Sequence, residues 1–360
     1  MTAPQLICTA LIDELRQTYP VHRTVYLAFG ECKLAVSVNR ADVADALSSY
    51  FKPFLCPEGE VDIEITAHES PEQAPPVTYT VKAPDPGKRK IKEEYVELPD
   101  GRIVRKRLTG MLFVFTGAEH LAIGPCWQNL NQVINFINNR YIEWLLCKGC
   151  LLGHAAGVIL DGRGVAMAGF SGAGKSTLAL QLMNEGAVFV SNDRLMIEAH
   201  NGSVRMHGVA KMPRINPGTA LNNPALRQVM TEEERQRFGE LEAEALWDLE
   251  YKYDAPIEAC YGPNRFVLSA PLNLLVLLNW RRTGEPLRVE QVDLNLRRDL
   301  LPAFMKSVGL FFLPRGTCRM PEPIAAAYAE LLSTCDVWEF SGGADFAAAT
   351  EACLEICKSK

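Results

Sequence analysis

Long apolar runs are missing from this chain. The longest, "LNLLVLL" from Leu272 to Leu278, falls well short of the roughly 20 residues a membrane-spanning helix needs. The opening stretch, "MTAPQLICTALIDELRQ", puts no basic region ahead of an apolar core, so a secretory leader is not expected. Positive charge is also scarce. With 37 Lys and Arg against 43 Asp and Glu, the net charge is −6, which argues against a nucleic-acid groove as the main function because such grooves need clustered cations. A disulfide framework is absent too: eleven cysteines run from Cys8 to Cys357 without regular spacing, which predicts reduced, mostly buried thiols. The expectation is a cytoplasmic protein with neither nucleic acid nor membrane as a partner.

What is present is ordinary globular composition. At 360 residues, 48% hydrophobic and 22% charged, the chain is long enough for two domains with separate cores. In the first part, β-like runs ("TVYLAFGECKLAVSVN", "VDIEITA", "GMLFVFTGAEHLAIGP") alternate with helix-like runs near residues 4–18 and 40–51. Proline in Ser70–Lys88 marks a loop or sheet edge. The segment Lys88–Arg107 reads as a hairpin about a Pro-Asp-Gly turn, with basic clusters on both arms. Leu130, Val133, Ile134, Ile137, Tyr141, Trp144 and Leu145 then recur at helical spacing. The boundary is placed just before that helix, giving an α+β accessory or substrate-recognition domain, 1–125, and a second domain, 126–360.

The second domain opens with two apolar strands about Asp161-Gly162, a tight hairpin signal, and the second strand delivers the chain into Gly169-Phe170-Ser171-Gly172-Ala173-Gly174-Lys175-Ser176. This octapeptide fits the Walker A pattern in its strand-loop-helix context. Gly172 and Gly174 let backbone N–H groups approach phosphate oxygens, the helix N-terminus adds a favourable dipole, Lys175 reaches the β- and γ-phosphates, and Ser176 can ligate Mg²⁺. Thr177 supports the helix start. ATP with Mg²⁺ is therefore the expected cofactor set. The next strand, "AVFVSND", ends in Asn192 and Asp193, 18 residues after Lys175. ABC and motor-type ATPases carry their acid much later, and no LSGGQ-type motif occurs. An early acid suits a kinase, where a carboxylate receives the proton of an attacking hydroxyl.

The stretch "HAAGVILDGRGVAMAGFSGAGKSTLALQLMNEGAVFVSND" resembles the catalytic core of bacterial HPr kinase/phosphorylase: a His, a hairpin, a GxSGxGKS loop, a helix, and a strand ending in two acids. The likeness covers mainly residues 150–280 and, with the closing "VWEFSGGADFAAATEACLEI", is nearest to the branch called HprK-related kinase B. It implies an α/β fold like the nucleotide domain of phosphoenolpyruvate carboxykinase, preceded by the accessory domain. It also implies ATP- and Mg²⁺-dependent transfer to a serine of a protein or peptide, and self-association. Gly169 to Thr177 would bind nucleotide, Ser176 and Asp193 would hold Mg²⁺, and His154, Lys175, Asn192 and Asp193 would serve catalysis. Two departures stand out. Asn192 occupies the place of the family's first acid, and the phosphorylase motif E-[VI]-R-G-[LM]-G is replaced by "GVAKMPRINPGTALNNPAL", in which Lys211 and Arg214 offer positive charge or are simply solvated.

Two alternatives stay open: a small-molecule kinase, and a nucleotide-binding regulatory module with weak or lost catalysis. Cys147-Lys-Gly-Cys150 followed by His154 has partial zinc spacing but lacks a completing pair, so core thiols are expected there. The acidic run Thr231–Asp254 reads as an amphipathic surface helix packed through Phe238, Leu241, Leu246 and Leu249.

Overall fold

The structure is a computed structural model that describes residues 6–84, 90–242, 245, 246, 249, 251–314, 318 and 323–359. It is a mixed α/β protein with several sheets, and it divides into two compact units, Met1–Lys148 with Val308–Met320, and Gly149–Ser307 with Pro321–Lys360. Among the described residues no helix is long and apolar enough to cross a membrane.

The first unit is built on an eight-stranded sheet. Its strands are β1 (Arg23–Phe29), β2 (Cys32–Val38), β3 (Ile63–Glu69), β4 (Thr80–Val81), β5 (Glu93–Leu98), β6 (Gly101–Lys106), β7 (Leu112–Thr116) and β8 (His120–Gly124), in the order β1-β2-β3-β8-β7-β6-β5-β4. Proline-rich chain supplies only the edge strand β4, and its residues 85–88 lie outside the described residues. Helix α1 (Cys8–Thr18) buries Cys8, Leu11, Ile12 and Leu15 against Ile103, Leu112, Val114, Leu121 and Ile123. Helices α2 (Ala41–Tyr50) and α3 (Leu130–Cys147) also belong here.

The expected boundary at 125/126 therefore differs from the compact units, and the difference has a physical cause. Arg140 and Glu143 of α3 form a buried ion pair at 3.0 Å, Arg140 donates to the Phe311 carbonyl, and Glu143 accepts from the Leu313 amide at 3.0 Å. Those bonds hold Phe311 and Leu313 to α3 and satisfy charges that would be costly to bury unpaired. Cys147 forms a disulfide with Cys318. This corrects the expectation of thiols throughout, although the other nine cysteines take no part in a disulfide.

Along the β5–β6 hairpin the cations of the second arm are matched by acids of the first, and residues 88 and 89 of the first basic cluster lie outside the described residues. The hairpin's register sets Glu93 opposite Lys106, Glu94 opposite Arg105 and Glu97 opposite Arg102, and each of these pairs is an ion pair. Its turn does a second job: Asp100 accepts from the amides of Cys8 at 2.7 Å and Thr9 at 2.8 Å, which satisfies N–H groups at the start of α1.

The second unit has a six-stranded, a four-stranded and a two-stranded sheet, the last formed by β15 with β16; its strands are β9 (Leu151–Gly153), β10 (Ala155–Leu160), β11 (Arg163–Gly169), β12 (Val188–Ser191), β13 (Leu195–His200), β14 (Ser203–His207), β15 (Arg214–Ile215), β16 (Tyr253–Asp254), β17 (Ser269–Leu272), β18 (Leu274–Leu278), β19 (Leu287–Gln291) and β20 (Asp336–Gly342). The orders of the two larger sheets are β12-β10-β11-β18-β20-β19 and β17-β14-β13-β9. The β10–β11 hairpin turns at Asp161 and Gly162, both at positive φ (49° and 79°), as a two-residue hairpin with right-handed strand twist requires. Helix α4 (Lys175–Asn184) follows β11, and α5 (Pro217–Leu221) follows β15.

The acidic run is not one helix. Helix α6 spans Glu232–Gly239, opened by a Thr231/Glu234 capping box and buried through Phe238, and the chain then returns to β16. Residues 243, 244, 247, 248 and 250 of that run lie outside the described residues.

Burial works to raise the Asp100 pKa, but the Thr9 and Cys8 amides outweigh it and hold the carboxyl below its usual value. A folded value below the unfolded one means the cap contributes fully above about pH 4 and is lost as pH falls through the folded value. Asp100→Ala should cost about 1 kcal/mol near neutrality, with a smaller deficit in strong acid. Urea unfolding at two pH values checks this, and an undiminished deficit in acid would contradict it.

Candidate active site

Strand β11 is buried along nearly its whole length and ends at Gly169, where the chain turns into the glycine loop. Gly172 (φ 83°) and Gly174 (φ 92°) adopt the left-handed region, and Gly174 is the residue that caps α4. The loop is held from behind. Trp280 donates its indole N–H to the Ala173 carbonyl at 2.8 Å, and its ring meets Phe346 edge-on at 5.2 Å. A Cβ on Gly174 would lie 2.6 Å from Phe346 Cε1. Phe346 opens the C-terminal helix Phe346–Lys358, whose start is fixed by Asp345 accepting from the Ala347 and Ala348 amides.

At the exposed rim stand Ser171, Gly172 and Phe170, the last with 61% of its surface accessible. Buried Lys175 turns its ammonium onto the Gly169 carbonyl at 2.6 Å and the Phe170 carbonyl at 3.3 Å. Ser176 is half-buried in the first turn of α4, and Thr177 shares a hydroxyl hydrogen bond of 3.0 Å with Thr219 of α5.

The acid arrives by a different route. Strand β12 ends at Ser191, whose hydroxyl donates to the Arg194 carbonyl and tightens the turn holding Asn192 and Asp193. Strand β13 then pairs antiparallel with β9, Leu195 opposite Gly153. That register leaves His154 beside Asp193, and His154 Nε2 lies 3.0 Å from Asp193 Oδ1. Gly153 is required there, because a Cβ would fall 2.8 Å from Phe304 Cε2. The Phe304 carbonyl accepts from the His154 amide at 2.6 Å, and the Lys306 amide donates to the Leu152 carbonyl at 3.1 Å. This bonding sets Lys306 Nζ 4.0 Å from Asp193 Oδ1.

Asp193 is half-exposed yet strongly polarised. Burial acts to raise its pKa, but the hydrogen bond from His154 and the charges of Arg194, His154 and Lys175 together hold it far below the carboxylate range. Burial draws the Lys175 ammonium below its ordinary value, with Asp193 opposing. Lys211 behaves likewise: burial lowers it, Asp193 opposes, and Arg214 and Arg194 lower it further. Lys211 of the replaced phosphorylase segment is thus half-buried and within the field of Asp193 rather than simply solvated, while Arg214 faces Asp254 at 3.5 Å. Asn192 keeps a buried Oδ1 without a hydrogen-bond partner among the described residues.

These groups suit a polyphosphate: left-handed glycines with open space at Gly172, a helix N-terminus, and a lysine whose hydrogen-bond partners are backbone carbonyls a phosphate can replace. Ser176 and Asp193 supply the hard oxygen donors that Mg²⁺ prefers. Local sequence gave no sign of Trp280, Phe346 or Lys306, whose separations from their partners exceed 100 residues. Nor did it place Cys147 in its disulfide with Cys318.

No protein-family model matches the chain, and no curated protein is similar to it in sequence. Among solved structures, the Hpr(Ser) kinase/phosphatase from Coxiella burnetii aligns over 57% of this chain and 92% of its own, at 12% identity and a TM-score of 0.28.

Gly174 carries two separable constraints, its φ and the approach of Phe346. Gly174→Ala should destabilise the second unit by about 2 kcal/mol or more, and adding Phe346→Ala should relieve the steric part while leaving the dihedral part. The double variant should accordingly lose less than the sum of the two single losses in chemical denaturation. Simple additivity would show that the ring does not set the loop.

Proposed function

We propose that this protein is an ATP- and Mg²⁺-dependent kinase of the HPr-kinase-related type, which moves the γ-phosphoryl group to a hydroxyl, a serine of a protein or peptide. One observation carries the reading. The strand after the loop helix returns Asp193 to the field of Lys175, with His154 bonded to the carboxylate and Arg194, Lys211 and Lys306 around it.

In this mechanism Gly169 to Thr177 bind the nucleotide, and Lys175 leaves its backbone carbonyls for the β- and γ-phosphates. Mg²⁺, held by Ser176 and Asp193, offsets phosphate charge when bound. The acceptor oxygen forms a bond to γ-phosphorus as the bond to the bridging oxygen breaks; the electron pair departs with ADP, and the hydroxyl proton passes to Asp193. A carboxylate of depressed pKa is a weak base. That suffices in a loose transition state, because the hydroxyl becomes acidic only once its bond to phosphorus forms. His154 orients the carboxylate, and Lys211 and Lys306 stabilise equatorial oxygens.

All of the candidate residues lie in the second unit. The first, which takes in the whole expected accessory domain 1–125 together with α3, recognises the acceptor in this reading. Self-association belongs to the proposal, and nucleic acid and membrane do not.

Asn192 favours a second reading. An amide cannot take a proton, and its Oδ1, unpartnered among the described residues, suits a regulatory module that holds nucleotide with little transfer.

Lys175→Ala should weaken binding of a non-hydrolysable ATP analogue about tenfold or more by titration calorimetry. Asp193→Asn should retain most of that binding but lower single-turnover transfer about 1,000-fold, and His154→Ala should lower it by less. Asn192→Asp should raise transfer if the amide limits it. Undiminished transfer by Asp193→Asn would overturn the assigned base, and nucleotide binding without labelling of any acceptor would select the second reading.

A further inference from the structure

Away from the loop, the four-stranded sheet gathers three side chains of different chemistry. The Sγ of Cys150, a carboxylate oxygen of Glu198 and a ring nitrogen of His207 all lie within 4.8 Å of one another. Their convergence follows from register. Ile197 of β13 faces Leu151 of β9, and one step further sets Cys150 opposite Glu198. Met196 of β13 faces His207 of β14, and Glu198, two residues on, shares that face. His207 Nε2 lies 3.0 Å from Glu198 Oε1, and Cys150 Sγ lies 3.8 Å from Glu198 Oε2. Ligands around a tetrahedral cation with bonds of about 2.0–2.3 Å stand about 3.3–3.8 Å apart, so ligand atoms that already lie within 4.8 Å of one another need to draw in by only about 1 Å.

From this geometry we infer that Cys150, Glu198 and His207 bind one Zn²⁺ ion, with solvent in the fourth position. The charge balance suits the burial. A thiolate, a carboxylate and a neutral imidazole offset the ion's two charges, at a place where Cys150 is 1% exposed and the His207 side chain 12%. Sulfur and imidazole select zinc over magnesium, which keeps this site chemically separate from the proposed nucleotide site. Binding releases the Cys150 thiol proton to solvent. Glu198, with 30% of its side chain accessible, is the member nearest solvent and gives the ion its entry. The Cys147-Lys-Gly-Cys150 spacing points toward zinc but names a different ligand set: Cys147 is bonded to Cys318, and His154 lies against Asp193.

The test is titration of the metal-free, full-length protein with Co²⁺, followed by absorption. One equivalent should give a sulfur-to-cobalt charge-transfer band that Zn²⁺ abolishes and Mg²⁺ does not. Cys150→Ser should lose that band, and His207→Ala and Glu198→Gln should each weaken cobalt binding about tenfold or more, with circular dichroism confirming the fold of each variant. Should a variant fail to fold, X-ray absorption of the zinc-loaded natural protein decides instead, with one sulfur and otherwise nitrogen and oxygen ligands expected. No band in the natural protein, a band unchanged in Cys150→Ser, unaltered affinity in the other two variants, or a zinc shell with no sulfur or several would each overturn the site.

Discussion

The pairing of β9 with β13, in which Gly153, Leu152 and Leu151 face Leu195, Met196 and Ile197, decides which side chains meet in the second unit. At one end it brings His154 to Asp193, and at the other it brings Cys150 to Glu198. A slip of one residue would turn every side chain of β9 to the opposite face and separate both pairs together. Gly153 guards that register. The Phe304 ring and the Leu195 carbonyl occupy the space where any Cβ would go, so the strands can approach there only with glycine.

Around Asp193 the balance of charge is the reverse of that of the whole chain. Lys175, Arg194, Lys211 and Lys306 all surround or act on one half-exposed carboxylate, in a protein whose net charge is −6. Buried Lys175 and half-buried Lys211 both have pKa values below their ordinary ones, and Arg194 and Arg214 repel Lys211 further. A set of cations under that strain is stabilised by an added anion, and more so where water is partly excluded. In the proposed function that anion is a polyphosphate, bound with Asp193 still paired to His154. The same reasoning explains why Asp193 stays ionised, and why in the proposed mechanism it accepts a proton only late in transfer.

Local patterns were legible wherever a few consecutive residues determine the backbone. The Asp161-Gly162 turn, the glycine loop at the end of β11, helix α4 and the acid after β12 all follow from short-range conformational preference. The Lys88–Arg107 segment gave its hairpin but not its electrostatics, because the Glu93–Lys106 and Glu94–Arg105 pairs depend on cross-strand register. Helix α3 was legible as a helix. Its membership in the first unit was not, since that rests on Arg140 and Glu143 meeting residues 311 and 313. Cys147 illustrates the limit: its nearby partner in sequence is Cys150, yet it bonds Cys318, 171 positions away.

Sheet order accounts for the residues that local reading missed at the loop. Strands β11, β18 and β20 are adjacent and parallel, so their carboxyl ends deliver three connections to one edge, the position where open α/β sheets place ligands. From β11 comes the glycine loop, from β18 the Trp280–Arg282 segment, and from β20 the chain leading to Phe346. The second and third are knitted together by backbone bonds, Arg281 amide to Gly342 carbonyl at 2.9 Å and Ala344 amide to Arg281 carbonyl at 2.8 Å. Trp280 and Phe346 therefore reach the loop as one joined support, with the indole on the Ala173 carbonyl and the phenyl ring where a Gly174 Cβ would stand. Glycine at position 174 thus answers two demands at once: its own left-handed φ and a ring contributed from 172 residues downstream. The loop's shape is consequently a property of the parallel sheet and its three connections, and the octapeptide supplies the residues able to adopt it.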